Sequence, residues 1–341
     1  MADYININGN NIPIRASDPT NPITGEIWYN LTTNQLKGQG LGTASWASIP
    51  SLSQFRRVVG SGGDKTSAIV WGGDQRPPGT LHNPTATEEY DGASWTGGGA
   101  LNSGRSVAIT GAGTQTTAIS AGGTTGLTAP ETTTQVEEYS GTAWTTGTAL
   151  PQKQGTAGLV GTQTAASFAG GGPGGDPGAI PKTTHLGYDG ATWTSRTALP
   201  AGRDNWKIIG ADDDFFGFGG PPNASAIATL YWNGSAWTST TAYPQGVGGI
   251  GGAGNFASGI SYGGAYPPGQ AGTFTNTWDG TAWSSDATMN VARSAMGNPN
   301  GATTSIGGSF VAAGATTSEV AIATAEEYNA AGPVTVTFSS S

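Results

Sequence analysis

The sequence predicts an all-β chain: a ring of six repeated, four-stranded antiparallel sheets behind a short lead-in that lacks the repeat. Three observations carry this expectation. Tryptophan recurs at Trp46, Trp95, Trp144, Trp193, Trp237 and Trp283, at separations of 49, 49, 49, 44 and 46 residues. A glycine doublet follows each one: Gly72-Gly73, Gly122-Gly123, Gly171-Gly172, Gly219-Gly220, Gly263-Gly264 and Gly307-Gly308. Most of the tryptophans also end an aromatic–turn–tryptophan segment such as Tyr90-Asp91-Gly92-Ala93-Ser94-Trp95. A unit of about 50 residues holding four strands is a propeller blade.

Each unit reads in order. Strand A follows a basic position ten residues past the tryptophan, filled by Arg56, Arg105, Gln154, Arg203, Val247 or Arg293. Strand B is apolar and ends at the glycine doublet, where crowded strands leave no room for a side chain. Strand C ends at the aromatic, preceded in three units by two glutamates: Glu88-Glu89, Glu137-Glu138 and Glu326-Glu327. Strand D carries the tryptophan. Asp-Gly or Asn-Gly between C and D marks a hairpin, because glycine adopts positive φ without steric cost. Six residues after the tryptophan stands Leu52, Leu101, Leu150, Leu199, Tyr243 or Met289. Thr, Ser and Ala dominate the strands, so these large residues must supply most of the apolar burial between units.

The last unit has Tyr328 but no following tryptophan, whereas a spare strand D stands near the start at Trp46. Residues around Thr43–Ile49 are therefore expected to complete the sixth blade and fasten the ring, removing an open edge. The domains expected are a 1–40 attachment segment with a β-hairpin and a 41–341 propeller. The tail Val334-Thr335-Val336-Thr337-Phe338 alternates like a strand and either competes for the closing place or pairs beside it.

Composition narrows function. The 341 residues include 58 glycines and no cysteine, and the net charge is −9. Disulfides and thiolate chemistry are excluded. Thirteen scattered basic residues argue against nucleic acid. No apolar run approaches the roughly 20 residues of a membrane span. Met1-Ala2-Asp3-Tyr4 lacks the basic and apolar regions of a signal peptide.

The doublet, the aromatic and the spaced tryptophan resemble the kelch repeat over roughly residues 41–328, with fewer large aliphatics and more Thr and Gly than is usual there. The first forty residues differ. Ile5, Ile7 and Ile12 alternate with Asn and Gly, Asp18-Pro19-Thr20-Asn21-Pro22 is a rigid turn segment, and Ile27–Lys37 reads as a hairpin turning near Thr33-Asn34. The run Arg15-Ala16-Ser17-Asp18-Pro19, Gly25-Glu26-Ile27-Trp28-Tyr29-Asn30 and Thr32-Thr33-Asn34-Gln35-Leu36-Lys37 resembles a segment of tailed-phage, notably cyanophage, structural and tail-fibre proteins. That resemblance implies a virion component in several copies, made in the host cytoplasm.

Catalytic motifs are missing. There is no Gly-x-Ser-x-Gly elbow, P-loop or histidine–glutamate metal motif. The paired glutamates sit at neighbouring strand positions, face opposite ways, and are expected to be inter-blade hydrogen-bond partners. The recurring arginines are expected to cap a blade or pair with a glutamate; the alternative is an anion-binding ring around a pore. Asp212-Asp213-Asp214 reads as a solvated turn, since calcium needs six or more oxygens. His82 and His185 are expected at the surface. Length varies most between strands B and C, and loops on a rigid scaffold carry recognition. Arg76, Tyr266 and Gln270 in these loops are the candidate binding residues. The expected protein is thus not an enzyme, uses no metal or cofactor, and is a tail-fibre or receptor-binding virion component. It would touch other virion proteins through its N-terminal segment and a host glycan or protein through its loops. The alternatives are a capsid or tail decoration protein and, further off, a carbohydrate-active enzyme.

Overall fold

A computed structural model describes residues 12–75, 84–105, 110–125, 131–172, 182–220, 228–265, 270–297 and 306–338. The chain divides into two compact units, Met1–Ser45 with Ala330–Ser341, and Trp46–Asn329. The boundary therefore falls at Trp46 rather than near residue 40. The C-terminal strand, read from sequence as part of the repeat domain, belongs to the smaller unit.

The smaller unit is a four-stranded sheet ordered Ile14–Arg15, Ile27–Asn30, Gln35–Leu41, Pro333–Phe338. The central hairpin turns through Asn34, which adopts φ 55°, a conformation asparagine tolerates. Cross-strand partners share a face. One face carries Ile14, Tyr29, Leu36 and Phe338 in one row and Ile27, Gly38 and Val336 in the next. The other face is polar, and Asp18 organises it. Its carboxylate accepts hydrogen bonds from Trp28 Nε1 (2.9 Å), Asn30 Nδ2 (2.6 Å) and Lys37 Nζ (2.7 Å). The Lys37 ammonium and the Asn30 and Trp28 donors hold the Asp18 carboxyl down at about 2.

The larger unit is all-β apart from one 3-10 turn among the described residues. Sheet 1 is Gly60–Asp64, Ser67–Trp71, Thr87–Tyr90 and Trp95–Gly97. Sheet 2 is Thr110–Gly113, Ala118–Ala121, Val136–Tyr139 and Trp144–Thr146, with a ribbon of Thr124–Thr125 and Glu131–Thr132 extending its B–C connection. Sheet 3 is Gly155–Gly161, Ala166–Gly172, His185–Tyr188 and Trp193–Ser195. Sheet 4 is Trp206–Gly210, Phe215–Gly219, Thr229–Trp232 and Trp237–Thr240. Sheet 5 is Gly251–Asn255, Ser258–Tyr262, Thr275–Trp278 and Trp283–Ser285. Sheet 6 shows three strands among the described residues: Phe310–Ala312, Ala325–Asn329 and, beside the latter, Ser45–Ile49. These sheets are antiparallel and follow chain order, an arrangement consistent with a propeller.

Three sets of contacts join each sheet to the next. First, the second residue of each glycine pair donates its N–H to the carbonyl at the recurring Arg position of the following sheet: Gly73 to Arg105, Gly123 to Gln154, Gly171 to Arg203, Gly220 to Val247, Gly264 to Arg293, and Gly314 to Arg56. Both members of each pair have positive φ, for example 62° and 104° at Gly72 and Gly73. A Cβ on Gly73 would lie 2.7 Å from the Arg57 carbonyl, so conformation and space both demand glycine. Two expected doublets shift here. In sheet 3 the pair is Gly170–Gly171, and in sheet 6 it is Ala313–Gly314. Gly307 and Gly308 lie instead in the 3-10 turn Ile306–Gly308.

Second, the strand-D tryptophans reach back to the preceding sheet. Trp144 Nε1 donates to Thr87 Oγ1 (3.0 Å), Trp283 to Thr229 Oγ1 (3.2 Å) and Trp46 to Thr275 Oγ1 (3.0 Å). Trp95, Trp193 and Trp237 donate to the carbonyls of Pro50, Thr148 and Thr197. Third, apolar residues pack between sheets rather than in one central core. Ile119, Leu159, Phe168 and Leu186 are in the cluster between sheets 2 and 3, and Val70, Tyr90, Phe310 and Ala325 are in that between sheets 1 and 6.

Candidate functional site

The recurring arginines and glutamates form internal ion pairs. Arg56 with Glu88, Arg105 with Glu137 (2.9 Å) and Arg293 with Glu326 (2.6 Å) each join two parts of one sheet. All three arginines are wholly buried, and none lines a pore. Burial pushes each guanidinium below its ordinary pKa, and the paired carboxylate counters it. The second Nη of each donates to the carbonyl just before strand C, that of Ala86, Gln135 or Thr324. The free carboxylate oxygen accepts from the backbone N–H of Ser53, Asn102 or Asn290, each at 2.7 Å. The first glutamate is therefore an intra-sheet partner. The second bridges sheets: Tyr139 Oη donates to Glu89, and Tyr188 Oη to Glu138 (2.7 Å). Burial and these carboxylates push both phenols up to about 12.

Arg203 is different. In sheet 4 Leu230 takes the glutamate position, and the Arg203 side chain makes, among the described residues, a 3.4 Å contact to the Ala228 carbonyl. Sheet 3 has Gln154 and Leu186 at these two places, and sheet 5 has Val247 and Asn276.

His185 is buried, not at the surface, because it occupies the strand-C position that faces sheet 4. Its ring meets Trp232 edge-on at 4.6 Å. Its Nδ1 lies 3.0 Å from the Thr197 carbonyl and its Nε2 3.3 Å from Ser167 Oγ. Burial lowers its pKa to about 4, against the opposing effect of the Thr197 hydrogen bond. Asp212 is not a solvated turn residue. Arg196 grips its two oxygens at 2.8 Å each, and Arg196 also donates to Ser167 Oγ at 2.7 Å. Asp213 and Asp214 are exposed. The Ser–His pair is sealed between sheets, with Ser167 wholly buried, so it offers no surface to a substrate.

The first strands surround a cavity of about 120 Å³, whose lining includes Ser61, Leu159, Thr156, Asn205, Lys207 and Met296. Burial lowers the Lys207 pKa well below its ordinary value. A chain of backbone hydrogen bonds frames one end. Val58 N–H donates to the Ala295 carbonyl (2.7 Å), Ala295 to Gly249 (2.9 Å), Gly249 to Asn205 (3.1 Å) and Asn205 to Thr156 (2.9 Å). All five residues lie in the left-handed region, with φ of 54°, 51°, 60°, 49° and 53° in that order. For Val58 and Thr156 this is strained, and strain of about 1–3 kcal/mol persists only where surroundings fix it. Each stands twelve residues after a strand-D tryptophan. The sequence gives no hint of this series, because its five members share no residue type.

Of the candidate binding residues, Arg76 and Tyr266 lie outside the described residues, as does His82. Gln270 is exposed beside the Ala265–Ala271 bridge. What the structure does bring together are Gln154, Thr156, Arg203, Asp204 and Asn205, at the connections that enter sheets 3 and 4.

No protein-family model matches the chain, and no curated protein matches it. Among solved structures, one described as "Structure of YjhT" is similar, with a TM-score of 0.64 and 15% identity over 84% of this chain and 96% of that one. At that identity the likeness concerns fold alone.

Proposed function

We propose that the larger unit is a kelch-like, six-bladed β-propeller closed by the strand around Trp46. We further propose that the protein is a noncatalytic virion component, a tail-fibre or other receptor-binding subunit. The cyclic order of the glycine-pair bonds, in which Gly314 of the last sheet donates to Arg56 of the first, supports the ring. In this reading the B–C loops and D–A connections share one end of the ring and recognise a host glycan or protein, while the smaller unit joins other virion proteins. Recognition through several copies makes weak contacts sufficient.

One observation carries the docking half of the reading. The apolar face of the smaller sheet exposes Ile14 (69%), Val334 (41%), Val336 (39%) and Phe338 (48%) and carries no charged side chain, on a chain of net charge −9. Contiguous exposed apolar surface marks interaction sites. The resemblance of Arg15–Lys37 to tailed-phage proteins supplies the kind of partner. The test is incorporation into particles. Val336→Asp with Phe338→Asp is expected to abolish incorporation while leaving the main melting transition in place. Normal incorporation of that double variant overturns the reading.

A further inference from the structure

The two edges of the smaller sheet are built differently. Ile14–Arg15 is two residues long and carries Arg15, whose guanidinium is tied to Glu26 at 2.8 Å. Short, charged edges resist pairing with another chain. Pro333–Phe338 forms the opposite edge, is six residues long, and is exposed at every residue. It carries no charge, and its register runs unbroken from Pro333 opposite Leu41 to Phe338 opposite Leu36. One edge is closed to a further strand, and the other is open to one.

The register fixes which backbone groups face out. Gly42 N–H donates to the Gly332 carbonyl at 2.7 Å. Hydrogen-bonded pairs alternate along an antiparallel ladder, so Val334, Val336 and Phe338 turn their backbone groups toward Gln35–Leu41. Gln39, opposite Thr335, agrees: its N–H donates to the Glu26 carbonyl at 2.8 Å, on the far side from Thr335. Thr335 and Thr337 therefore turn their N–H and C=O groups to the open edge. Pro333 shares that phase, where its missing N–H costs the sheet no bond.

This edge is complementary to a copy of itself. Laid antiparallel about a two-fold axis at Val336, Thr335 of each copy meets Thr337 of the other, and each such pair exchanges two N–H to C=O bonds. All the outward groups of both threonines are then used. Val336 faces its own copy, and Val334 faces Phe338 on the apolar face, a β-branched-to-aromatic pairing that stabilises sheets. A two-fold axis at Thr335 would leave the Thr337 carbonyl unpaired and set Phe338 opposite Gly332. Because the strand is uncharged on a chain of net charge −9, the pairing brings no like charges face to face along it. This symmetry selects a second copy of the chain over an unrelated strand.

We propose that Pro333–Phe338 pairs antiparallel with the same strand of a second copy, centred on Val336, so that two smaller sheets join along their open edges. The pairing takes up the edge, whereas the docking reading above takes up the apolar face, so neither rests on the other. The experiment is sedimentation equilibrium of the full-length protein, which is expected to show a monomer–dimer equilibrium. Thr335→Pro removes an outward N–H from each copy and is expected to weaken the dimer about tenfold or more. Its melting temperature should match wild type, since that N–H serves no bond within the sheet. Thr335→Val keeps the N–H and is expected to associate as wild type does.

Cysteine variants test the register, because the chain has no cysteine of its own. Val336→Cys places two thiols on residues about 4.5 Å apart between Cα atoms, within disulfide reach, and is expected to cross-link under oxidised glutathione. Val334→Cys, whose own copy lies about 13 Å further along the strand, is expected not to. The proposal is overturned if wild type sediments as a monomer up to its solubility limit, or as a trimer. It is equally overturned if Thr335→Pro dimerises as tightly as wild type, or if Val334→Cys cross-links as fast as Val336→Cys.

Discussion

Sheets 1, 2 and 6 carry a buried arginine–glutamate pair, whereas sheets 3, 4 and 5 carry Gln154 with Leu186, Arg203 with Leu230, and Val247 with Asn276. Both groups nevertheless form the same sheet, donate the same glycine N–H to the next Arg-position carbonyl, and set their tryptophan against the preceding sheet. The ion pair is therefore not what builds the repeat. It relies on a main-chain carbonyl and a backbone N–H for its satisfaction, and the fold persists where it is replaced. Backbone geometry and aromatic packing are common to all six sheets; the polar interior varies. Among the described residues, Gln154 and Asp204 keep buried polar atoms without partners, as do Trp71, Ser120 and Trp232 elsewhere.

The largest effect expected tests whether the pair is dispensable. Glu137→Leu leaves Arg105 buried without its carboxylate and is expected to destabilise by about 3–5 kcal/mol. Arg105→Met combined with Glu137→Leu removes both charges and is expected to recover most of that loss in chemical denaturation. A double variant as unstable as the single one breaks the comparison, because the pair would then be needed for the sheet itself.

A smaller effect sharpens what the two groups share. Trp144→Phe in sheet 2 and Trp283→Phe in sheet 5 each remove an indole bond to a threonine hydroxyl of the preceding sheet. Each is expected to cost about 1–2 kcal/mol, combining a lost hydrogen bond with a small loss of packing. Costs that differ by more than twofold between the two sites would show that the tryptophan anchor depends on the ion pair.

A third effect concerns pH and sheet 3 alone. His185 has a folded pKa of about 4, below its ordinary 6.5, because burial favours the neutral ring. The unfolded chain binds the proton more readily between these values. His185 therefore contributes stability that is complete above pH about 6.5 and is lost as pH falls toward 4. Melting followed from pH 7 to 4 should decline less steeply in His185→Gln than in wild type. Parallel profiles would mean that the ring titrates normally.

Several features were legible because each leaves a residue-type mark at fixed spacing. Glycine marks positive φ, Asp-Gly marks the hairpin, and tryptophan marks the large surface buried between sheets. The hairpin of Ile27–Leu41 was readable from the same chemistry. Misreadings arose where residue type and role part company. Gly307-Gly308 has the right type, but Ala313–Gly314 takes the conformation, because position relative to the next sheet, not composition, sets φ there. His185 reads as a loop residue, yet its register in strand C turns it between sheets 3 and 4. Of the expected loop residues Arg76, Tyr266 and Gln270, the first two lie outside the described residues.

The sequence by itself determined the all-β class, the repeat period and the hairpins, because local backbone preference and side-chain size act through near neighbours. Tertiary structure decided everything that depends on contacts between units. The left-handed series Val58, Ala295, Gly249, Asn205 and Thr156 has no shared residue type, since hydrogen bonds from neighbouring sheets impose its conformation. The C-terminal strand joined Gln35–Leu41 because Gly38 leaves room for the Phe338 ring and Gly42 for a Val334 methyl, each 3.0 Å from where a Cβ would stand, a fit between segments almost 300 residues apart. The orphaned amide of Gln154 is visible only once the sheets are assembled, because a polar group lacks a partner only when folding has removed water from it.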